Sequence, residues 1–227
     1  MEGKDNITCK VVLVGDSGVG KTCIIQRYVN NNYNENIEST SASTYTYKVV
    51  DYKQFNKSIS LYIWDTAGQE LYRALAKNFY LNASIGILVY DIRRKESFES
   101  IKDYWYEQLK ISGEDNMVFG VAGNKCDLFQ EEQVKEEEAK KFAESIGAIF
   151  HLTSCKESIG VDELFEECGK KYLELNKIVS NEQKGKGNIV LENGKDKDKN
   201  NPSNKKTLFK NKKIQWKEKI TLLAKLF

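Results

Sequence analysis

The stretch Gly15-Asp16-Ser17-Gly18-Val19-Gly20-Lys21-Thr22 decides the fold, because it satisfies the pattern G-x-x-x-x-G-K-[ST]. An apolar, β-branched run at 10–14 precedes it, and a helical pattern follows to about Asn30. In this context successive backbone amides and the helix N-terminus surround phosphate oxygens. Lys21 is placed to neutralise the β and γ oxygens of a nucleotide, and Thr22 offers a hydroxyl to Mg²⁺. The turn therefore predicts a nucleotide phosphate site.

Strands and helices alternate along most of the remaining chain. Apolar, β-branched and aromatic runs predict five further strands, at 45–52, 58–64, 85–90, 117–122 and 149–152. Apolar residues at helical spacing predict helices around 98–109, 134–146 and 161–175. Such an order predicts an α/β fold with a six-stranded, mostly parallel sheet, one antiparallel hairpin strand and five helices, within residues 1–176.

Charge is distributed unevenly along the chain. Residues 176–227 contain 14 lysines and 5 acidic residues, so this part carries +9, and the net charge of +2 leaves −7 for the rest. A globally basic nucleic-acid-binding protein is therefore disfavoured, and no nucleic-acid partner is expected. Residues 177–207 are polar and predict a disordered basic linker, whereas 208–227 form a basic amphipathic segment.

Compartment signals point to the cytosol. The chain has no run of 18 or more apolar residues, and its first residues lack the apolar stretch of a secretory signal. Five widely spaced cysteines contain no CxxC pair, and there is a single histidine, His151. Zinc sites and Ser/His or Cys/His nucleophile chemistry are therefore disfavoured.

A second motif, Asp65-Thr66-Ala67-Gly68-Gln69-Glu70, follows the third predicted strand. Asp65 can hold a Mg²⁺ water, and the Gly68 amide can meet a γ-phosphate. Gln69 is then placed to orient an attacking water. Together with the phosphate turn, this motif predicts hydrolysis of a nucleoside triphosphate.

Two further motifs predict the base. Asn124-Lys125-Cys126-Asp127 follows the fifth predicted strand, and Thr153-Ser154-Cys155-Lys156 follows the sixth. A carboxylate at Asp127 accepts from N1–H and the 2-amino group of guanine, whereas adenine offers no donors there. The Cys155 amide can donate to guanine O6. The nucleotide is therefore predicted to be a guanine nucleotide.

These four motifs, in this order, resemble the Ras superfamily of small GTPases over about residues 8–176. The resemblance implies a P-loop small GTPase fold that binds GTP or GDP, with Mg²⁺ held by Thr22, Thr40 and Asp65. It places Tyr33 where an aromatic ring stacks on guanine. The expected nucleotide contacts are Gly15, Asp16, Ser17, Gly18, Val19, Gly20, Lys21, Thr22, Cys23, Tyr33, Thr40, Gly68, Asn124, Lys125, Asp127, Ser154, Cys155 and Lys156.

The tryptophan before Asp65 resembles the Rab branch of the superfamily. That resemblance implies a monomer that acts in vesicle trafficking, with an exchange factor, a GTPase-activating protein and effectors as partners. Tyr45, Trp64 and Phe79 would present an aromatic trio to effectors, although a core role for Trp64 is the alternative. The segments 38–40 and 74–76 lean towards the endosomal Rab proteins, which implies a cytoplasmic protein that cycles to an endosomal membrane.

Three departures from the patterns of the superfamily matter. Ser41-Ala42 replaces the usual Ile-Gly, which puts the identity of the effectors in doubt. Ser17 replaces a glycine of Ras itself, as is common among Rab proteins. The last cysteine is Cys168 and residue 2 is Glu, so the usual signals for prenylation and myristoylation are not found.

The expected activity is slow hydrolysis of GTP that involves Lys21, Thr22, Thr40 and Gln69. No arginine is evidently placed to act in cis, so the intrinsic turnover is expected at about 10⁻⁴ to 10⁻² per second. One alternative is a GTP-dependent scaffold that binds nucleotide but does not cycle. A P-loop metabolic kinase is a third interpretation, disfavoured by the guanine motifs.

The C-terminal segment offers a means of membrane attachment without a lipid. Five apolar residues share one helical face, and five lysines interleave with them. The apolar residues are Phe209, Trp216, Ile220, Leu223 and Phe227, and the lysines are Lys212, Lys213, Lys217, Lys219 and Lys225. Contact with an anionic membrane is one prediction. A helix that binds a partner protein, one that folds back, and an end without a role are the others.

Overall fold

Six strands form a single sheet in the computed structural model, which describes residues 5–35, 40, 44–65 and 79–185. The strands are β1 (Asp5–Val14), β2 (Thr44–Tyr52), β3 (Lys57–Asp65), β4 (Ile85–Asp91), β5 (Val118–Asn124) and β6 (Ile149–Thr153). Their order across the sheet is β2-β3-β1-β4-β5-β6. β2 runs antiparallel to β3, and the other neighbouring pairs are parallel.

Five α-helical segments occur within the same described ranges. They are α1 (Lys21–Asn30), α2 (Lys95–Ser100), α3 (Tyr106–Ser112), α4 (Glu136–Ser145) and α5 (Val161–Gly185). A π-helical stretch, Ile101–Trp105, joins α2 to α3, and short 3₁₀ segments lie at Lys53–Phe55 and Cys126–Glu131. None of the helices so described is long and apolar enough to cross a membrane.

The central strand β1 is buried on both faces. Val11 and Leu13 belong to one hydrophobic cluster, which also contains residues of α1 and α5. Val12 and Val14 belong to a second cluster on the opposite face, against α2, α3 and α4. Because successive side chains of a strand point to opposite faces, a continuous apolar run suits a strand between two helical layers.

The structure confirms the predicted fold class, with some differences in where elements begin and end. β1 begins at Asp5, before the apolar run, because residues 5–9 pair with the start of β3. The predicted helix at 98–109 is divided by the π-helical stretch. α5 continues past the predicted boundary at 176 to Gly185, which is the first glycine after Gly169. The apolar spacing ends at Leu175, but good helix formers such as Glu182, Gln183 and Lys184 follow it.

Described residues of all four motifs lie at the same end of the sheet. The phosphate turn follows β1, and Asp65 is the last residue of β3. Asn124 is the last residue of β5, and Ser154 comes directly after β6. Since these strands are parallel, their carboxyl ends meet at the same edge, which is where open α/β sheets bind ligands. The topology therefore brings the four motifs into one site.

Candidate functional site

Side chains from three parts of the chain hold the carbonyl oxygens of the phosphate loop, residues 15–22. Five successive carbonyls, those of residues 15–19, each accept a hydrogen bond from a side chain. The donors are Lys21 Nζ to Gly15 (2.8 Å) and Asp16 (2.9 Å), Arg94 Nη1 to Ser17 (3.0 Å), Lys125 Nζ to Gly18 (2.7 Å) and Asn124 Nδ2 to Val19 (2.8 Å). Because the C=O and N–H of a trans peptide point in opposite directions, the amides of residues 18–20 point away from Arg94, Lys125 and Asn124. The loop thus turns its amides towards an anion.

Glycine is required at two positions of the loop for different reasons. Gly15 has φ of 147°, and a Cβ there would overlap the carbonyl of Val89. Gly20 has φ of 98°, and a Cβ there would overlap the Asn124 amide that binds the loop. Both conformations lie where an L side chain is strained. The two outer glycines of the motif are therefore fixed by close packing as well as by backbone conformation.

Lys21 is almost fully buried beneath the loop. Burial lowers the pKa of its ammonium group from 10.5 to about 8, against the opposing attraction of Asp65 and Asp16. Arg94 lowers that pKa further. Phosphate oxygens would supply the counter-charge that this buried cation has only in part.

The side chain of Asp16 is held by a residue far along the chain. Trp105 Nε1 donates to Asp16 Oδ1 at 2.9 Å, and Trp105 is 3% exposed. Trp105 is the last residue of the π-helical stretch, and such insertions occur often at functional sites because they re-aim side chains. The π-helical stretch therefore carries a residue that fixes the phosphate loop.

Three side chains with hard oxygen atoms are candidates to hold Mg²⁺. The hydroxyls of Thr22 and Thr40 are 2.6 Å apart. Burial raises the pKa of Asp65, although Thr22, Lys21 and Thr40 lower it in part. Asp65 Oδ1 is buried and has no hydrogen-bond partner among the residues that the structure describes. An unpaired buried carboxylate oxygen near two hydroxyls fits Mg²⁺, which takes oxygen ligands and keeps several waters or phosphate oxygens.

A separate pocket lies where a base would bind. Its lining residues are Gly20, Cys23, Tyr33, Asn124, Lys125, Asp127, Leu128, Cys155 and Lys156. Ser154 Oγ donates to Asp127 Oδ1 at 2.6 Å, which fixes the carboxylate. Its other oxygen is available to accept from a base. The pocket thus combines an oriented acceptor with an aromatic ring, as guanine recognition requires.

Asn124 and Lys125 join this pocket to the phosphate loop. Besides its bond to the loop, Asn124 accepts from Thr153 Oγ1 at 3.1 Å. Lys125 has φ of 66°, which is uncommon for a residue with a side chain, and its ammonium lies 2.8 Å from Asp91 Oδ2. Although burial opposes it, hydrogen bonds from Arg93 and Lys125 hold the pKa of Asp91 below its usual value. A change at either residue would therefore disturb both the base pocket and the phosphate loop.

Most of the residues predicted from the sequence meet at this edge of the sheet. Gly68 and Gln69 lie outside the described residues, as do Ser41 and Ala42, and their roles stay predictions. Asn124 is the last residue of β5 and not the residue after it, because Asn124 still pairs with Thr153 of β6. Sequence reasoning missed Asp91, Arg94, Trp105 and Leu128, since no fixed spacing connects them to the motifs. It identified no arginine placed to act in cis, and it did not single out Arg94, which contacts the loop through the carbonyl oxygen of Ser17.

Comparisons with known proteins agree with this geometry. The family model described as Ras family matches residues 10–174. Human Ras-related protein Rab-22A is 43% identical over 162 residues, which cover 71% of this chain and 82% of that protein. Human Ras-related protein Rab-31 is 42% identical over 157 residues, covering 69% and 79%. Ras-related protein RabJ of Dictyostelium discoideum is 40% identical over 168 residues, covering 74% and 64%.

The fold and the site define a P-loop GTP-hydrolysing switch protein. The chain belongs to the Ras family of small GTPases and, by its similarity to Rab proteins, to the Rab branch. Proteins of this branch are GTP hydrolases that act in vesicle trafficking and bind regulators and effectors. The alternative of a scaffold that does not cycle is not favoured by these relatives.

Replacing the carboxylate in the base pocket tests the assignment of the base. Asp127→Asn should weaken guanine nucleotide binding by up to roughly 10⁴-fold, because a group that accepts from N1–H and the 2-amino group is lost. Xanthine nucleotides should bind the variant better than guanine nucleotides, since xanthine presents an acceptor in place of the 2-amino group. Competition between the two bases for purified protein measures this, with Asp103→Asn on the exposed helical surface as the control. Unchanged guanine affinity in Asp127→Asn would contradict the assignment.

The lowered pKa of Lys21 predicts a pH dependence of binding. In the free protein Lys21 loses its proton above about pH 8, whereas bound phosphates favour the charged form. Nucleotide binding near pH 9 should therefore take up a proton, and affinity should fall as pH rises through this range. Calorimetry in two buffers of different ionisation enthalpy measures the uptake. The same experiment near pH 7, where Lys21 is charged in both states, is the control, and equal uptake at the two pH values would contradict the prediction.

Proposed function

We propose that this protein is a switch that holds GTP or GDP with Mg²⁺ at the carboxyl edge of its sheet and hydrolyses GTP slowly. The observation that carries the proposal is the meeting of three parts in one site. These are the phosphate loop with its amides turned inward, the oxygen atoms of Thr22, Thr40 and Asp65, and the pocket around Asp127. Each part suits a different portion of a guanine nucleotide.

In this proposal each residue of the site has a separate role in GTP hydrolysis. When bound, Mg²⁺ would neutralise charge on the β and γ oxygens, and Thr22, Thr40 and Asp65 would hold it. Lys21 binds the same oxygens, and the amides of the phosphate loop fix the leaving group. Gln69 orients the attacking water. The rate is slow because the site lacks the full positive charge that an activating protein supplies.

The switch itself would depend on Thr40. Its hydroxyl lies 2.6 Å from that of Thr22, which is in the first turn of α1 and is the last residue of the phosphate loop. A γ-phosphate would hold both Thr40 and the Gly68 amide, and its loss on hydrolysis would release them. The surface around Thr40 and Gly68 would therefore differ between the GTP-bound and the GDP-bound protein.

An aromatic surface next to this site is the proposed effector contact. Tyr45 and Trp64 have ring centroids 5.3 Å apart, and Trp64 and Phe79 have centroids 5.8 Å apart. Tyr45 is 62% exposed, whereas Trp64 is half-buried and also packs on the core. Clusters of partly exposed aromatic rings are typical of protein interfaces. Trp64 would therefore serve both as a packing residue and as part of the contact.

Membrane association is the remaining part of the proposal. The segment 208–227 would lie in an anionic interface through its apolar face and its lysines, with the residues between the end of α5 and 207 as the connection. The membrane is proposed to be endosomal, on the resemblance of residues 38–40 and 74–76 to the endosomal Rab proteins. Between visits to the membrane the protein would be a cytoplasmic monomer.

A single-turnover measurement tests the slow switch. The protein alone should hydrolyse GTP at about 10⁻⁴ to 10⁻² per second. Gln69→Leu should lower that rate by roughly 10- to 100-fold, because the water is no longer oriented. Gln108→Leu, the same change on α3, is the control and should keep the original rate. A rate above about one per second without a partner would contradict a switch that needs an activating protein.

Vesicle binding by the full-length protein tests the C-terminal segment. Binding to anionic vesicles should be sensitive to salt and should be lost in the double variant Trp216→Glu/Leu223→Glu. The double variant Asn211→Glu/Thr221→Glu adds the same charge away from the apolar face, so it should keep more of the binding. Sedimentation with vesicles measures both. If the unchanged protein ignores anionic vesicles at low salt, or if the two variants behave alike, the membrane role is wrong.

A further inference from the structure

Arg94 is attached to the phosphate loop by a single contact. It precedes α2, and its Nη1 donates to the carbonyl oxygen of Ser17 at 3.0 Å. Within the described part of the chain this is the one hydrogen bond of its side chain. The same Nη1 lies 3.6 Å from the position that a Cβ on Gly18 would occupy. Arg94 therefore lies over the peptide that joins Ser17 to Gly18.

The neighbouring arginine is placed quite differently. Arg93 Nη2 lies 3.1 Å from Asp91 Oδ2, and its Nη1 lies 3.2 Å from Glu131 Oε2. Both carboxylates balance its charge. Arg94 has no ion pair with any described carboxylate, and its charge acts on Lys21, whose pKa it lowers. Of the two adjacent arginines, only Arg94 adds positive charge to the phosphate loop.

The geometry of a peptide unit gives this contact a consequence for the nucleotide. The Ser17 carbonyl and the Gly18 amide belong to one planar trans peptide, so they point in opposite directions. A donor that holds the carbonyl outward therefore holds the amide inward, towards the phosphates. Gly18 has φ of 76°, and a glycine next to an unrestrained peptide rotates easily. The four other loop carbonyls are held by Lys21, Lys125 and Asn124.

We propose that Arg94 is a positioning residue that locks the Ser17–Gly18 peptide, so that the Gly18 amide is fixed towards the phosphates of the bound nucleotide. The inference rests on the proposed nucleotide site. With Arg94 included, each of five consecutive loop carbonyls has a side-chain donor. The donor to the middle carbonyl, that of Ser17, lies outside all four motifs.

Nucleotide release and phosphorus resonances test the role of Arg94. In Arg94→Ala, fluorescent GDP should dissociate about tenfold faster, the lower end of the effect of losing a hydrogen bond to a charged group. Single-turnover hydrolysis of GTP should slow by a similar factor, and the β-phosphate resonance of bound GDP should shift in ³¹P NMR. Arg94→Lys should restore all three towards the original values, because one charged donor is enough to hold the Ser17 carbonyl.

Lys95→Ala is the matched control, since it removes a neighbouring positive charge that pairs with Glu138. It should leave all three measurements unchanged. The proposal is overturned if Arg94→Ala changes none of them, if Lys95→Ala changes them as much, or if Arg94→Lys restores nothing. Failure of the underlying site would look different, because the unchanged protein would then not retain GDP at all.

Discussion

The hydrogen bonding of five consecutive carbonyl groups of the phosphate loop by side chains is the constraint on which the site depends. A loop of this kind binds phosphate through its amides, and an amide can face inward only if its paired carbonyl faces outward. The carbonyls of Gly15, Asp16 and Val19 make buried hydrogen bonds, and leaving them unpaired would cost free energy, whereas those of Ser17 and Gly18 make exposed ones. Lys21, Arg94, Lys125 and Asn124 supply the donors. These hydrogen bonds hold the loop in a conformation that suits phosphate binding.

The same donors explain why base recognition and phosphate binding are connected. Asn124 and Lys125 come from the end of β5 and begin the loop that contains Asp127. Their side chains reach the phosphate loop, while neighbouring residues line the base pocket. The phosphate loop follows β1, and β1 and β5 lie on either side of β4. Only one strand therefore separates the end of β5 from the phosphate loop. In the proposed site, Asn124 and Lys125 therefore connect the base pocket to the phosphate loop.

Site residues could be predicted from the sequence when the residues that act together are close along the chain. The phosphate loop, Asp65 and Asp127 could be assigned because their motifs have fixed spacing and follow recognisable strands. Thr40 was assigned through the resemblance to the Ras superfamily, and its hydroxyl does lie beside that of Thr22. Contacts such as Trp105 to Asp16 could not be predicted, since 89 residues separate the partners.

The fold was likewise predicted where the pattern is local in the sequence. Alternating strand and helix patterns predicted the α/β sheet, because burial on one or both faces leaves a period in the sequence. The π-helical stretch, Ile101–Trp105, left no such signal, since it changes the phase of the helix without changing which residues are apolar. Trp105, at the end of this stretch, makes a long-range hydrogen bond to Asp16, which no local pattern of the sequence indicates.

The central claim is that this chain has a site for one guanine nucleotide. The most direct test is to denature the protein as purified and to identify and count the released nucleotide by mass spectrometry. The account predicts GDP or GTP at close to one molecule per chain, because the donors around the phosphate loop and the Asp127 pocket act together. Release of an adenine nucleotide, or of none even after incubation with GDP and Mg²⁺, would contradict it.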